Sequence, residues 1–484
     1  MTGSLQEAAT EPTASLSKWV EHLDATTIPP DVLERAKYLI LDGIACGLVG
    51  AHVPWSEQLA NAVRQYEPRG KCRVIGYEDH YGPLAAALLN GAFIQATELD
   101  DYHSGAPLHS ASVILPALLA ATDAAVAPDP ISGLSLLVAA IAGFETGPRI
   151  GHALYGSDLL SRGWHSGPVF GSPAAATATS KLLGLNAKQI ESAIGIAATQ
   201  AGGLMSAQYE GMIKRVQHAF AARNGLFGAL LARTDYLGIE KVLERPYGGY
   251  LAMFSAGNAR DPPYLLSEIT KQLGDLWHTQ RIRIKLYACV GGCHGQIEAL
   301  EQLQQSYPQR FAATALGQIR RITVWLSAPI HAHDGWFPEQ RPLTTTGAQM
   351  NAAYIGAVQL IDRQVLLSEF AEQSLNRAEI WDIVDKTECL HSSDFDLPDR
   401  ICGARVRVQF QDGYAVEKTV YQPKGFDPPT TNEEIYQKWR RLVSSVLTIE
   451  QREAIEHTIL KLEELQDVRI LTAMLSICVR NPLG

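Results

Sequence analysis

What this chain does without narrows the field first. Its seven cysteines, Cys46, Cys72, Cys289, Cys293, Cys389, Cys402 and Cys478, are spread over 484 residues. Few, scattered and odd in number, they read as reduced thiols and not as a disulfide framework. Positive charge is not in excess either: 41 Lys and Arg against 51 Asp and Glu leave a formal net charge of −10. Nucleic-acid binding needs a basic footprint, so no nucleic-acid partner is expected, and an anionic substrate must be drawn in by local basic groups. The longest apolar run, 131–144, falls short of the ~20 residues of a spanning helix, so no membrane partner is expected. Residues 1–17 contain Glu7 and Glu11, no arginine and no apolar stretch, which fits neither a secretory signal nor a transit peptide. The expectation is a soluble, cytoplasmic protein. Cofactor motifs are missing as well: there is no GxxxxGK[ST] loop, no well-placed GxGxxG, no HExxH and no GxSxG. Chemistry is therefore expected to run on side chains alone, with no cofactor and no metal.

What is present is apolar residue in quantity, 46% hydrophobic against 19% charged, enough to bury large cores in two domains. Up to residue 271 the pattern is helix after helix. Pro30 sits at a first-turn position ahead of Val32, Leu33, Ala36, Leu39, Ile40 and Ile44 at helical spacing. Further helical runs fall at 83–97, 134–144, 172–183, 187–199 and 220–232, several richer in Ala and Gly than in Leu. Small residues let helix axes approach closely, so these helices are expected inside a bundle. Near Arg281 the period changes to two. Strands are expected at 281–287, 319–326, 405–410 and 415–421, the last two joined through the hairpin signal Asp412-Gly413. Helices are expected between them at 295–305 and 349–368, a linker at 423–429, and two closing helices at 432–446 and 449–465. The expected fold class is mainly α: a large all-helical domain made of 1–271 and 430–484, with a smaller α+β lid domain inserted at 272–429. A cleft between the two is the default place for a small-molecule site.

The densest polar cluster runs from Glu98 through Asp100, Asp101, Tyr102 and His103 to His109, directly after an apolar helix. From the residues alone it reads as a solvated, capped turn or as a general acid–base site, with a metal site the weaker option because no second ligand cluster has metal-type spacing. Lys214-Arg215 through His218 offers basic groups near a helix start, suited to carboxylates. Gly163-Trp164-His165-Ser166-Gly167 sets a histidine in a glycine-flanked turn, where a structural role is the plainer reading. Cys289 through Cys293-His294 has CxxxCH spacing, which is neither a redox nor a zinc pattern and reads as a strand-to-helix turn presenting His294. The turn-rich stretch 332–338 either covers the pocket or is plain loop.

Taken together, these motifs resemble the MmgE/PrpD superfamily. The resemblance rests on Thr97-Glu98-Leu99-Asp100-Asp101-Tyr102-His103 with Pro107-Leu108-His109, on Trp164-His165, on Lys214 upstream of Ala222-Arg223-Asn224-Gly225, and on Lys285-Leu286-Tyr287-Ala288-Cys289 leading to His294. It runs from Pro30 to the C-terminal helices. Within the family, 31–46 and 203–209 are similar to the cis-aconitate decarboxylases of itaconate-forming fungi. The resemblance implies a homodimer with a smaller lid domain and catalysis on a di- or tricarboxylate without metal or organic cofactor. It implies that His109, Lys214, His294 and Asp100 act in catalysis, that Asp101, Tyr102, His103 and His165 contact the substrate, and that His109 donates the proton. The implied reaction is decarboxylation of cis-aconitate, or an alkylated relative, to itaconate. Dehydration of 2-methylcitrate or an alkylcitrate, and a repurposed member acting on a larger metabolite, are the alternatives. The family pattern has a glycine where this chain has Glu210, a carboxylate that must point away from an anionic substrate or be paired.

Overall fold

Small side chains decide how the helices of the N-terminal half pack. The computed structural model describes residues 11–103, 105–124, 130–426 and 428–483; the tail bearing Glu7 lies outside the described residues. The helix Lys214–Arg233 lies against Pro83–Gln95, Ser110–Asp123, Ser166–Leu182 and Ala187–Ala198. A Cβ at Gly225 would fall 2.4 Å from the Cβ of Ala175 and 2.7 Å from the carbonyl oxygen of Ser172, so glycine is what lets the two axes meet. Pro30 and Pro83 each open a helix at its first turn, where a missing N–H costs nothing. Pro30–Gly50 is buried along most of its length.

The C-terminal half carries a four-stranded sheet in the order Thr387–His391, Ile319–Leu326, Ala404–Phe410, Ala415–Val420. The first pair is parallel and the other two are antiparallel. The helix His294–Ser306 packs on the sheet and against Ala352–Asp362. The chain then returns to the N-terminal half: Asn432–Val443 and Ile449–Leu460 pack on Pro30–Gly50. That return is fastened by a buried ion pair, Lys438 Nζ to Asp42 Oδ1 at 2.7 Å. Arg35 adds to it, donating to the carbonyls of Thr430 and Ile282.

The mainly α expectation holds, but the N-terminal half is not all-helical. Arg69–Val74 and Tyr77–Tyr81 form an antiparallel hairpin turning at Gly76, whose φ is +77°. Its polar, irregular sequence lacks the alternation that marks a half-buried strand. The strand expected at 281–287 shrinks to Arg283–Ile284, which pairs with Asp101–Tyr102. The helix expected at 349–368 is split, because Asn351 caps a new helix with its side chain and Arg363 ends that helix at φ +57°. The stretch expected to be a linker is packed: Phe426 is buried against Tyr102 and His294. Among the described residues no single helix is long and apolar enough to cross a membrane.

An alanine normally gains about 1 kcal/mol over glycine inside a helix. At Gly225 the new Cβ would press on backbone atoms of the neighbouring helix, so Gly225→Ala should instead cost about 1–3 kcal/mol. Thermal unfolding measures this, and an unchanged or raised midpoint would contradict the packing account.

Candidate active site

Glu98 lies just past the apolar helix Pro83–Gln95, in a left-handed backbone conformation at φ +58°. Its fully buried carboxylate is met from two other parts of the chain. Lys214, the first residue of its helix, brings Nζ to 2.6 Å, and Lys285 brings Nζ to 3.2 Å from the second oxygen. Arg215 stands 3.9 Å away. Burial alone would raise the pKa of Glu98, but the charges of Lys214 and Lys285 outweigh it and hold the group well below its ordinary value. Burial lowers the pKa of Lys214 despite Glu98. For Lys285 burial also acts downward, yet Glu98 and Asp100 together reverse the sign and raise it.

Glu98, Lys214 and Lys285 face a cavity also lined by Tyr102, His109, His165, Leu160, Ile330 and His333. His109 occupies the cap position of Ser110–Asp123 and places Nδ1 3.3 Å from Oδ1 of the buried Asp100. Asp100 is also 3.7 Å from Lys285 Nζ. His165 is held differently. Gln217 spends its amide N–H on the carbonyl of Leu204, so its oxygen accepts from Nδ1 of His165 at 2.5 Å. That assignment leaves Nε2 of a neutral His165 as an acceptor. His218 stacks edge-on between His109 and His165, with ring centroids 4.9 and 4.7 Å away. Burial, and then the charge of Lys214, keep His165 neutral; burial, and then its histidine neighbours, do the same to His218.

Of the residues expected to form the site, His109, Lys214, His165 and Tyr102 line the cavity and Asp100 stands behind His109. Three expected residues lie elsewhere. Asp101 accepts the amide N–H groups of Ser110 and Ala111 at 2.7 and 2.8 Å, capping that helix. Its burial, with Asp100 beside it, pushes its carboxyl up to about 8. His294 opens its helix and packs its ring on Tyr287 and Phe426, and it is not among the residues that line the cavity. Burial, then Lys285 and Lys438, bring it down to about 3. His103 turns toward His152 and His278, with ring centroids 5.4 Å from each. Glu210 is exposed and is not among the cavity's residues, which removes the repulsion a carboxylate there would cause.

Glu98, Lys285, His218 and His333 lay inside stretches picked out from the sequence but were given no role of their own there. The available signal for Lys285 was a lysine in an otherwise alternating strand; in the structure that residue is buried and the alternation stops.

The side chains of His103, His152 and His278 offer ring nitrogens within 4.8 Å of one another, a spacing that a metal could use. The hydrogen bonds argue otherwise. Nδ1 of His103 accepts the amide N–H of Ala106 at 3.2 Å, which puts the ring proton on Nε2. Nε2 faces Nδ1 of His278 at 3.4 Å. A ligating nitrogen needs a free lone pair, so His103, with both ring nitrogens committed, is removed from the set and leaves only His152 and His278. Burial brings His278 down to about 2, with the charge of Arg149 next in size, and a cation placed there would meet the same field.

The buried histidines make stability depend on pH. An unfolded histidine titrates near 6.5, whereas His103, His165 and His218 are held well below that, His294 at about 3 and His278 at about 2. Below about pH 6.5 the unfolded chain takes up protons that the fold refuses, so stability is lost as pH falls, by up to about 1.4 kcal/mol per pH unit for each histidine. The carboxyl of Asp101, raised to about 8, acts the other way and offsets about one histidine's share, so the unfolding midpoint should still drop between pH 7 and pH 5, and a flat profile over that range would contradict the assignment.

Comparison with known proteins identifies the family. Residues 14–261 match the MmgE/PrpD N-terminal domain and residues 287–464 match the MmgE/PrpD C-terminal domain. The chain is 64% identical over 467 residues to the cis-aconitate decarboxylase-like protein oryM of Aspergillus oryzae, covering 96% of this chain and 97% of that protein. It is 53% identical over 475 residues to a cis-aconitate decarboxylase of Aspergillus terreus, covering 97% of each. A human cis-aconitate decarboxylase is 25% identical over 468 residues, covering 96% of this chain and 94% of that protein. On matches that span both halves of the fold, the chain belongs to the MmgE/PrpD family.

Proposed function

We propose that this protein is a carboxy-lyase that converts cis-aconitate to itaconate and CO₂. The observation that carries the reading is His109, set at the cavity with the Asp100 carboxylate behind it and the Lys214–Glu98–Lys285 cluster beside it. In the reaction the carboxylate on the saturated methylene leaves as CO₂. The electron pair of the broken C–C bond becomes the new terminal double bond. The old double bond's pair moves to the far alkene carbon, which must take one proton. His109 supplies that proton, and Asp100 stabilises the ring while it carries two. Lys214 and Lys285 provide positive charge for the carboxylates that remain. Leu160, Ile330 and Met350 give the departing carboxylate an apolar neighbourhood in which its charge is poorly solvated, which favours its loss.

The same reading makes 272–429 an inserted lid domain, because the chain returns to Pro30–Gly50 after it. It makes the molecule a homodimer, for which the exposed apolar residues Leu204, Met212 and Ile213 offer a contact surface just ahead of Lys214. It makes the protein cytoplasmic, in keeping with cysteines that are all free. On this reading a tricarboxylate is the partner of the cavity.

Proton NMR of the protein with cis-aconitate should show itaconate, and the same assay with 2-methylcitrate should show no alkene. His109→Gln should lower turnover by about 10²–10⁴ while the unfolding midpoint stays near that of the parent. Turnover within about tenfold of the parent would end the role given to His109.

A further inference from the structure

The cavity receives one histidine from the C-terminal half. The short helix Ala328–Asp334 places Ile330 and His333 along it. The neighbouring Asp334 is fully buried, and its carboxylate accepts a hydrogen bond from Nδ1 of His333. Nε2 of His333 is buried and has no hydrogen-bond partner among the described residues. The pair fits because residue 292 is glycine: a Cβ there would fall 2.5 Å from Ile330 Cδ1 and 2.9 Å from Asp334 Oδ2. The ring is thus fixed by its own carboxylate and lines the cavity, with its second nitrogen uncommitted among the described residues.

The charges already present leave room for such a group. Lys214 and Lys285 share the carboxylate of Glu98, and Lys285 is also near Asp100, so much of their charge is already answered. His165 has its Nδ1 committed to Gln217 and is kept neutral. A tricarboxylate brings more negative charge than the two lysines can balance once Glu98 is counted. A histidine backed by a carboxylate can carry a second proton when an anion arrives, since a ring between two carboxylates is favoured in its charged form.

Resting on the tricarboxylate reading above, we infer that His333, held by Asp334, binds a substrate carboxylate through Nε2 and thereby sets specificity from the C-terminal half of the chain. His109 and His333 then divide the work. The first gives up its proton to carbon, while the second keeps its proton and holds an anion.

The test uses the full-length protein with tricarballylate, a saturated tricarboxylate that cannot be decarboxylated by this route, and with cis-aconitate. A hydrogen bond from a charged donor to a carboxylate is worth a factor of about 10–100 in affinity. His333→Ala should weaken tricarballylate binding in calorimetry by at least about tenfold and raise KM for cis-aconitate by a similar factor, with kcat changed far less. His333→Gln, which keeps an N–H donor, should recover part of the loss, which a purely packing role would not predict. Affinity and KM both within about twofold of the parent would overturn the inference, as would failure of the parent to bind tricarballylate. If the parent binds tricarballylate but leaves cis-aconitate unchanged, the decarboxylase reading fails while the His333 comparison is still decided by binding.

Discussion

A carboxylate with no access to water survives ionised only if other charges stand against it, and Glu98 is in that position. Its partners come from distant stretches of chain: Lys214 from the start of a long helix, Lys285 from just past a short strand, and Arg215 from the turn beside Lys214. Meeting them requires a left-handed backbone at a residue that is not glycine, a strain of about 1–2 kcal/mol that the ion pairs offset. The cluster ties the N-terminal family domain to the segment that leads into the C-terminal one, because Glu98 lies within residues 14–261 and Lys285 just ahead of residue 287. Lys214 and Lys285 shift in opposite directions although both touch Glu98, because Asp100 adds a second negative charge beside Lys285 alone.

The histidines follow the same logic of what stands behind each ring. An amide oxygen behind His165 fixes its tautomer but offers no charge to balance a second proton, and burial near Lys214 works against one. A carboxylate stands behind His109 and another behind His333. Among the described cavity rings these are the two with a carboxylate beside them, and that is why proton delivery and anion binding are assigned to them. His103 instead donates from Nε2 to Nδ1 of His278, while its Nδ1 accepts from the amide of Ala106.

Much of this was readable from the sequence where the signal is local. Pro30 and Pro83 mark helix starts, the alanine- and glycine-rich runs become close-packed helices, and Asp412-Gly413 turns the hairpin between Ala404–Phe410 and Ala415–Val420. The family resemblance brought His109, Lys214 and His165 to one place, and they do line one cavity. Direction of side chains was not readable. Asp100 and Asp101 are adjacent, yet one backs the site and the other caps a helix, which depends on where residues 110 and 111 end up. His103 and His294 carry the right chemistry but face other histidines and aromatic rings. The hairpin Arg69–Val74 with Tyr77–Tyr81 and the strand Thr387–His391 were hidden because neither alternates cleanly between apolar and polar residues.

The measurement closest to the centre of this account is a double-mutant cycle on Glu98→Gln and Lys214→Met, read by denaturant unfolding. Either change alone leaves a buried charge with too few partners and should cost about 3–5 kcal/mol. The two together remove both charges of the closest pair, so the double variant should lose less than the sum by about 1–3 kcal/mol. Losses that simply add, within about 0.5 kcal/mol, would mean that Glu98 and Lys214 do not hold each other in place and that the site is organised by something else.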